Sequence, residues 1–313
     1  MNETKSHRFN DLLKIENNNQ TEEIQNNEET KKKKHSISKK IILIIILGII
    51  LCLSYANFIE PTLYKVNEHM ISSSIIPDSF HGFKIVHFSD IHYGTTINTK
   101  ELDKIINKIN ETNPDIIVFT GDLIDYSKTI NEEEKKEIIE SLSKLKSSLY
   151  KYAIYGDEDI ENKYYKEIME ASNFKILDNE NTLLYYKDTT PIELIGFNTI
   201  SSNPNYTIAT NFIDNEDTSN YYKIVLVHEP DSIDSFINYN PSLILSGDTL
   251  GGLIKLPLIK PLFLNEHSQK YYEPYYKINN IDIYISNGLG TSNISSRFNN
   301  RPSINLYRLN KES

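Results

Sequence analysis

The sequence predicts an α/β protein: a four-layer αββα sandwich of two mixed β-sheets, preceded by one transmembrane helix. Three observations carry that expectation. Between Ile85 and Tyr155, strand-length apolar runs alternate with helical periods, the pattern of parallel strands with helices packed on a sheet. Beyond Ala171 the pattern changes to a hairpin, Thr182 to Lys187 and Ile192 to Phe197 around Asp188-Thr189-Thr190-Pro191, which adds a second sheet. Ahead of both lies an apolar run from Ile41 to Ile59.

Residues 1–40 are rich in Asn, Glu and Lys with almost no aromatic residue, so they lack the apolar surface that would offset the entropy of ordering them and are expected to form a disordered tail. The run 41–59 matches the ~20 residues needed to cross a bilayer. Lys31 to Lys34, Lys39 and Lys40 crowd its amino side, whereas Glu60 alone carries charge beyond it before Lys65. The positive-inside rule therefore predicts a single-pass protein of the cell membrane, its N-terminus cytoplasmic and its domain, 60–313, extracellular. A cleaved signal peptide is the first alternative, since Ser54-Tyr55-Ala56 is a small-x-small site, but the long leader weighs against it. A buried core helix is the second, and the absence of a polar face weighs against that. Cys52 follows Leu51 rather than a small residue, which argues against a lipoprotein site.

Within the domain a first strand is expected around Tyr64 to Met70 and a second at Ile85 to Phe88. Leu102, Ile105, Ile106 and Ile109 then recur with helical spacing, ending before Asn113-Pro114. A strand at Asp115 to Thr120, a helix carrying Ile138, Ile139, Leu142 and Leu145, a strand at Tyr152 to Tyr155 and a helix near Lys163 to Ala171 follow. After the hairpin, Ser201 to Asn220 is a polar excursion. Strands return at Lys223 to Val227, Ser242 to Leu245, Ile281 to Ile285 and Ile304 to Leu309.

With 313 residues, 39% hydrophobic and 24% charged, the chain can bury one core and carry appendages. The net charge of -10 excludes a broad nucleic-acid surface. One cysteine excludes a disulfide framework and a cysteine zinc site. The 21 tyrosines, several in adjacent pairs, suit sheet packing with one wet edge or, alternatively, a carbohydrate or lipid-headgroup surface.

The strand ends are where chemistry-bearing residues collect. Asp90 and His92 follow the second strand at i and i+2, the spacing that places two side chains on one side of an extended chain, and an oxygen with a nitrogen donor suits a transition metal. A turn cap and a structural histidine give the same triplet, so the motif gains meaning only from its companions. Those are Gly121, Asp122 and Asp125; Gly156, Asp157, Glu158 and Asp159; His228, Glu229, Pro230 and Asp231; and Gly247, Asp248, Thr249, Leu250 with a glycine pair. In open α/β sheets, ligands gather at such carboxyl ends.

These motifs, in this order, resemble those of the calcineurin-like metallophosphoesterases, and especially their membrane-anchored bacterial branch. Asp90-Ile91-His92, Gly121-Asp122-Leu123-Ile124-Asp125, Gly156-Asp157-Glu158-Asp159, His228-Glu229-Pro230-Asp231 and Gly247-Asp248-Thr249-Leu250-Gly251-Gly252 carry the likeness. Gly288 to Ser292, Arg297 and Arg301-Pro302 resemble the branch's closing segment. The resemblance implies the metallophosphoesterase sandwich and a site for divalent cations: one held by Asp90, His92 and Asp122, a second by Asp122, Asp157, His228 and Asp248. Candidate ions are Mn, Mg, Fe, Zn and Ca.

The chain departs from the family pattern at four positions. Asp157 stands for an asparagine, Glu158 for the leaving-group histidine, and Asp248 and Leu250 for two metal-binding histidines. Leu250 offers no lone pair, so the first cation keeps three protein ligands, enough for a catalytic metal. Asp157 and Asp248 are harder donors that favour Mg, Mn or Ca. Four ionised carboxylates offset two divalent cations, which weakens the pull on a phosphate, and a carboxylate at 158 is a poorer proton donor near neutrality than an imidazole.

Two readings follow. The first is a membrane-anchored phosphoesterase, weak or altered in metal preference, acting on a phosphorylated small molecule or a lipid headgroup with Glu158 at the acid position. The second is a non-catalytic relative that serves as a binding or scaffolding module at the cell surface. A third possibility at the site itself is that the carboxylates cap turns and hold no metal.

Overall fold

The computed structural model describes residues 39–199 and 220–312, so all but the last two residues of the expected tail (1–40) and all but the last of the polar excursion (201–220) lie outside the described residues. Helix α1, Lys39–Thr62, is 24 residues long and is long and apolar enough to cross a membrane. Its last turns widen at Tyr55–Ile59 and tighten at Glu60–Thr62, where Pro61 has no N–H to give. The compact unit is Tyr55–Ser313.

Sheet one contains β1 (Lys65–Ser73), β2 (Lys84–Phe88), β3 (Ile116–Phe119), β4 (Lys151–Ala153), β5 (Phe174–Ile176) and β12 (Ser303–Lys311), in the order β1-β12-β2-β3-β4-β5. The pairs are parallel except β12 with β2. Because side chains alternate along a strand, β2 and β3 send Val86, Phe88, Ile117 and Phe119 to one face and Ile85, Ile116 and Val118 to the other. The first set packs under helices α2 (Thr99–Glu111), α3 (Glu132–Ser143) and α4 (Tyr165–Ala171). Each such side chain contributes about 1.5–3 kcal/mol on burial. Helix starts are fixed locally: Asn98 accepts from the Glu101 N–H, and Asn131 forms a reciprocal cap with Glu134.

Sheet two contains β6 (Glu180–Leu184), β7 (Ile192–Gly196), β8 (Tyr222–Leu226), β9 (Leu243–Ser246), β10 (Tyr275–Ile278) and β11 (Ile281–Ile285), in the order β10-β11-β9-β8-β7-β6. Its three central pairings are parallel, and its two edge pairings, β10 with β11 and β6 with β7, are antiparallel. Leu194, Ile224, Leu226, Leu243 and Leu245 meet the inner face of sheet one. Ile195, Val225, Ile244 and Ile283 point outward, beneath Ile233 and Phe236. Those cover residues lie in and beside the 3₁₀ turns Pro230–Ser235 and Ile237–Tyr239, so among the described residues this outer layer is 3₁₀ rather than α-helical.

The predicted alternation and hairpin thus correspond to these two mixed sheets. Two strands have no counterpart in the predicted pattern, β5 and β10. Both are edges, where half the residues face water and no sustained apolar run is required.

Candidate metal centre

The backbone at the strand ends is strained. Asp90 (φ 50°), His92 (43°), Asp122 (63°), Asp248 (64°) and Leu250 (48°) all occupy the left-handed region that non-glycine residues avoid. Such strain collects where surrounding structure fixes a functional geometry. Here the fixing bonds are visible: the Asp90 N–H donates to the Gly121 carbonyl at 2.9 Å and the His92 N–H to that of Asp122 at 3.1 Å. Gly121 permits the approach, since a Cβ there would lie 2.4 Å from the Gly156 nitrogen. The buried Asp159 carboxylate ties the same loops together, accepting from the N–H groups of Asp122 (2.7 Å), Leu123 (3.0 Å) and Gly156 (2.9 Å).

The expected ligands come together in two groups that share one residue. Asp90, His92 and Asp122 offer atoms within 4.8 Å of one another, and so do Asp122, Asp157 and His228. His92 Nε2 lies 3.7 Å from Asp122 Oδ2, while His228 Nε2 lies 3.3 Å from both Asp122 Oδ2 and Asp157 Oδ1. Asp248 stands at the margin, with Oδ1 4.0 Å from His228 Nε2. Its carboxylate is already engaged: Oδ1 accepts from Asn265 Nδ2 at 2.6 Å and Oδ2 from the Ser268 hydroxyl. The Asp248 N–H donates to Asp90 Oδ1 at 3.0 Å, which links the two sides of the site.

Glu158 meets the site through His92. Its Oε2 accepts from His92 Nδ1 at 3.1 Å and from the Tyr126 N–H at 2.9 Å. Asp125 Oδ2 lies 3.6 Å from the same His92 nitrogen. A carboxylate on the far nitrogen of an imidazole is the arrangement that orients a metal-binding histidine. In the same way His228 Nδ1 donates to the Thr120 carbonyl at 2.5 Å, leaving Nε2 as its ligand atom.

These residues fit a cation. Both Nε2 atoms, of His92 and His228, are buried without a hydrogen-bond partner among the described residues, and both face carboxylate oxygens. Lone pairs set against lone pairs require positive charge between them. The titration tendencies agree. For His92, burial opposes the charged form, but the Glu158 hydrogen bond and the charges of Asp122, Glu158 and Asp90 prevail and push it up to about 10. His228 is likewise raised well above its ordinary value, burial again being outweighed, by Asp122 and Asp157. Burial raises Asp122 well above the usual carboxylate range, against the pull of His228, and pushes Asp248 up to about 7. Each of these shifts draws positive charge into the cluster, as protons or as metal ions.

Leu250 is buried, 3% exposed, and fills the space beside Asp90: a Cβ on Gly288 would lie 2.7 Å from Leu250 Cδ2 and 2.9 Å from Asp90 Cβ. The closing segment acts as a brace. Fully buried Arg297 donates to the Gly290 carbonyl through Nη2 at 2.6 Å and Nε at 3.0 Å, and the Gly290 N–H donates to the Asp90 carbonyl at 2.7 Å. Burial lowers the Arg297 guanidinium to about 10, with Asp90 and Glu60 opposing. Sequence reasoning missed Asn265, Ser268 and Ser89, whose hydroxyl donates to Asp90 Oδ2. No motif or spacing marks the first two. A cleft of about 550 Å³ opens here, lined by Tyr126, Lys128, Asp157, Glu158, Asn265 and Asn293 among others.

Comparison with known proteins agrees with this geometry. The family profile described as calcineurin-like phosphoesterase matches residues 83–288. The uncharacterized metallophosphoesterase YkuE of Bacillus subtilis is 35% identical over 259 residues, covering 82% of this chain and 88% of its own. The UDP-2,3-diacylglucosamine pyrophosphatase LpxG of Chlamydia muridarum is 26% identical, covering 71% of this chain and 79% of its own. A transmembrane protein with metallophosphoesterase domain from Danio rerio is 27% identical; the match covers 74% of this chain but 57% of that longer protein. On the profile match and the likeness to the Bacillus protein, the chain belongs to the calcineurin-like phosphoesterases.

Proposed function

We propose that the chain is a membrane-anchored, metal-dependent phosphoesterase. Asp90, His92 and Asp122 hold one divalent cation; Asp122, Asp157 and His228, with Asp248 at the margin, hold a second. The observation that carries this reading is the pair of partnerless buried imidazole nitrogens on either side of Asp122. Bound cations in such a site neutralise a phosphate and lower the pKa of a water. Asp157 and Asp248 shift the second position toward Mg, Mn or Ca relative to a histidine-rich site.

The protein's own groups orient and select. Glu158 and Thr120 aim the two imidazoles. Lys128, at the cleft and 2.7 Å from Glu134, gives the mouth a positive charge amid Asp157, Glu158 and Glu161. The substrate is a phosphate ester of a small molecule or lipid headgroup. The lipid side is supported by α1 and by the chlamydial relative, whose name gives UDP-2,3-diacylglucosamine as what it acts on. The lysines before α1 support a cytoplasmic tail and an exported domain.

One set of observations favours the non-catalytic reading: Leu250 offers no ligand and the Asp248 oxygens are already hydrogen-bonded. The full chain in detergent decides between them. Its metal content is measured, and hydrolysis of p-nitrophenyl phosphate and bis(p-nitrophenyl) phosphate is assayed with Mn, Mg, Zn and Ca. Bound metal and hydrolysis, both lost in Asp122→Asn, support the enzyme; neither in the parent protein refutes it.

A further inference from the structure

Between Ile254 and Asn265 the chain makes a loop whose composition differs from the rest of the domain surface. It reads Lys-Leu-Pro-Leu-Ile-Lys-Pro-Leu-Phe-Leu from 255 to 264. Leu256, Leu258, Ile259, Leu262 and Phe263 are all exposed, and Leu258, at 104%, touches nothing that shields it. Among the described residues from 60 to 312 no other ten-residue stretch holds as many exposed large apolar side chains. A contiguous apolar patch on a soluble face marks an interaction site. Two cations border the tip: half-buried Lys255, and Lys260, whose ammonium donates to the Gln269 carbonyl and side-chain oxygen at 2.9 Å. Cations border segments that rest in a lipid headgroup layer in the same way.

The position of the loop identifies the occupant. Its first residue pairs with the closing segment, the Lys255 N–H donating to the Phe298 carbonyl at 2.9 Å. That segment is also fastened to the last turns of α1. The Arg297 N–H donates to the Ala56 carbonyl at 2.9 Å, the Ser296 hydroxyl to Asn57 Oδ1 at 2.7 Å, and the Asn299 N–H to Glu60 Oε2 at 3.0 Å. Tyr55, Glu60, Lys255 and Pro257 line one cavity of about 630 Å³, with Lys65 and Arg301 among its other walls. The apolar tip therefore leaves the domain beside residues 55–60, which follow directly on the apolar run in sequence.

The other end of the loop enters the metal centre. Asn265 and Ser268, just after Leu264, hold the two Asp248 oxygens, and Pro261 and Leu264 pack over Gly252. One continuous segment thus spans from an apolar tip to a candidate metal ligand.

We propose that the 256–263 loop is a lipid-docking element: its leucines, Ile259 and Phe263 enter the interface of the bilayer that holds α1, which sets the cleft against membrane-embedded phosphate esters. The proposal rests on the anchoring reading above and narrows its substrate class to lipids. It does not depend on catalysis.

The chain contains no tryptophan, so a single introduced indole reports its own surroundings. Full-length Leu258→Trp, Ile259→Trp and, at the amino end of β4, Tyr150→Trp are each reconstituted into phosphatidylcholine–phosphatidylglycerol vesicles, with and without acyl-brominated phosphatidylcholine. The account expects blue-shifted emission quenched by bromine at 258 and 259, and unshifted, unquenched emission at 150. Retention after alkaline carbonate washing reads the anchor separately. Retained protein without quenching at 258 or 259 overturns the docking loop and leaves the anchor standing; protein washed off overturns both. A blue shift that grows with protein-to-lipid ratio and ignores bromine assigns the patch to a second copy of the chain and also overturns the proposal.

Discussion

The two halves of the metal centre are built on different principles. On the sheet-one side, Asp90, His92 and Asp122 sit in strained backbone positions fixed by main-chain hydrogen bonds to neighbouring strand ends, with Asp159 clamping the loops beneath them. On the sheet-two side, His228 is fixed by the Thr120 carbonyl, but Asp248 is held by two side chains, Asn265 and Ser268, from a loop that carries its own exposed patch. Departures from the family pattern fall on both sides, at 157 and 158 after β4 and at 248 and 250 after β9, and Asp248 and Leu250 share the left-handed backbone of the sheet-one ligands. The difference lies in what holds the carboxylate: where side chains of another loop set a ligand, as at Asp248, a new residue can be accommodated by new partners.

The largest effect expected of that contrast comes from Asp122, the residue both sides share. Asp122→Asn should lower hydrolysis by about 10³-fold or more and remove bound metal from both positions. A loss confined to one position would show that the halves are independent. Glu158→Gln keeps the shape but weakens the orienting bond to His92 Nδ1, and should reduce metal affinity at the first position by about 10–100-fold, read by metal titration. An unchanged affinity paired with lost turnover would instead give Glu158 the acid role. On the other side, Leu250→His should raise affinity at the first position, and the triple change Glu158→His, Asp248→His, Leu250→His should raise turnover further, measured as kcat/KM on bis(p-nitrophenyl) phosphate.

A stability measurement tests the scaffold beneath the sheet-one half. His87 is buried in β2 with Nε2 2.9 Å from Thr120 Oγ1, and burial depresses it to about 3. A folded-state value below the unfolded ~6.5 means that the unfolded chain binds the extra proton. His87 therefore favours the fold fully above about pH 6.5, and that contribution falls by at most about 1.4 kcal/mol per pH unit as pH drops toward 3. Thermal unfolding of His87→Gln against the parent between pH 7 and 4 should show a shallower acid decline; parallel curves would contradict it.

Much of this was legible in the sequence because it is periodic or local. The apolar spacing of Leu102, Ile105, Ile106 and Ile109 announces α2, and the run before Asp90 announces β2, since burial of one face demands those patterns. The order of the strand-end motifs identified which residues converge, and Asp90, His92, Asp122, Asp157 and His228 do converge. What stayed hidden depends on distance along the chain. Asn265 and Ser268 touch Asp248 from a loop with no periodicity, and edge strands β5 and β10, three and four residues long, are too short to show a period. The motif places Glu158 at the site but does not reveal its partner, His92, 66 residues away in the chain.

The central claim is that Asp122 joins two cation positions into one site. Metal-stripped full-length protein titrated with Mn(II) and followed by electron paramagnetic resonance tests it most directly. The account predicts two manganese ions per chain with a spin-coupled spectrum, and loss of the coupling in Asp122→Asn. A single uncoupled ion, no bound ion, or coupling that survives Asp122→Asn would contradict it.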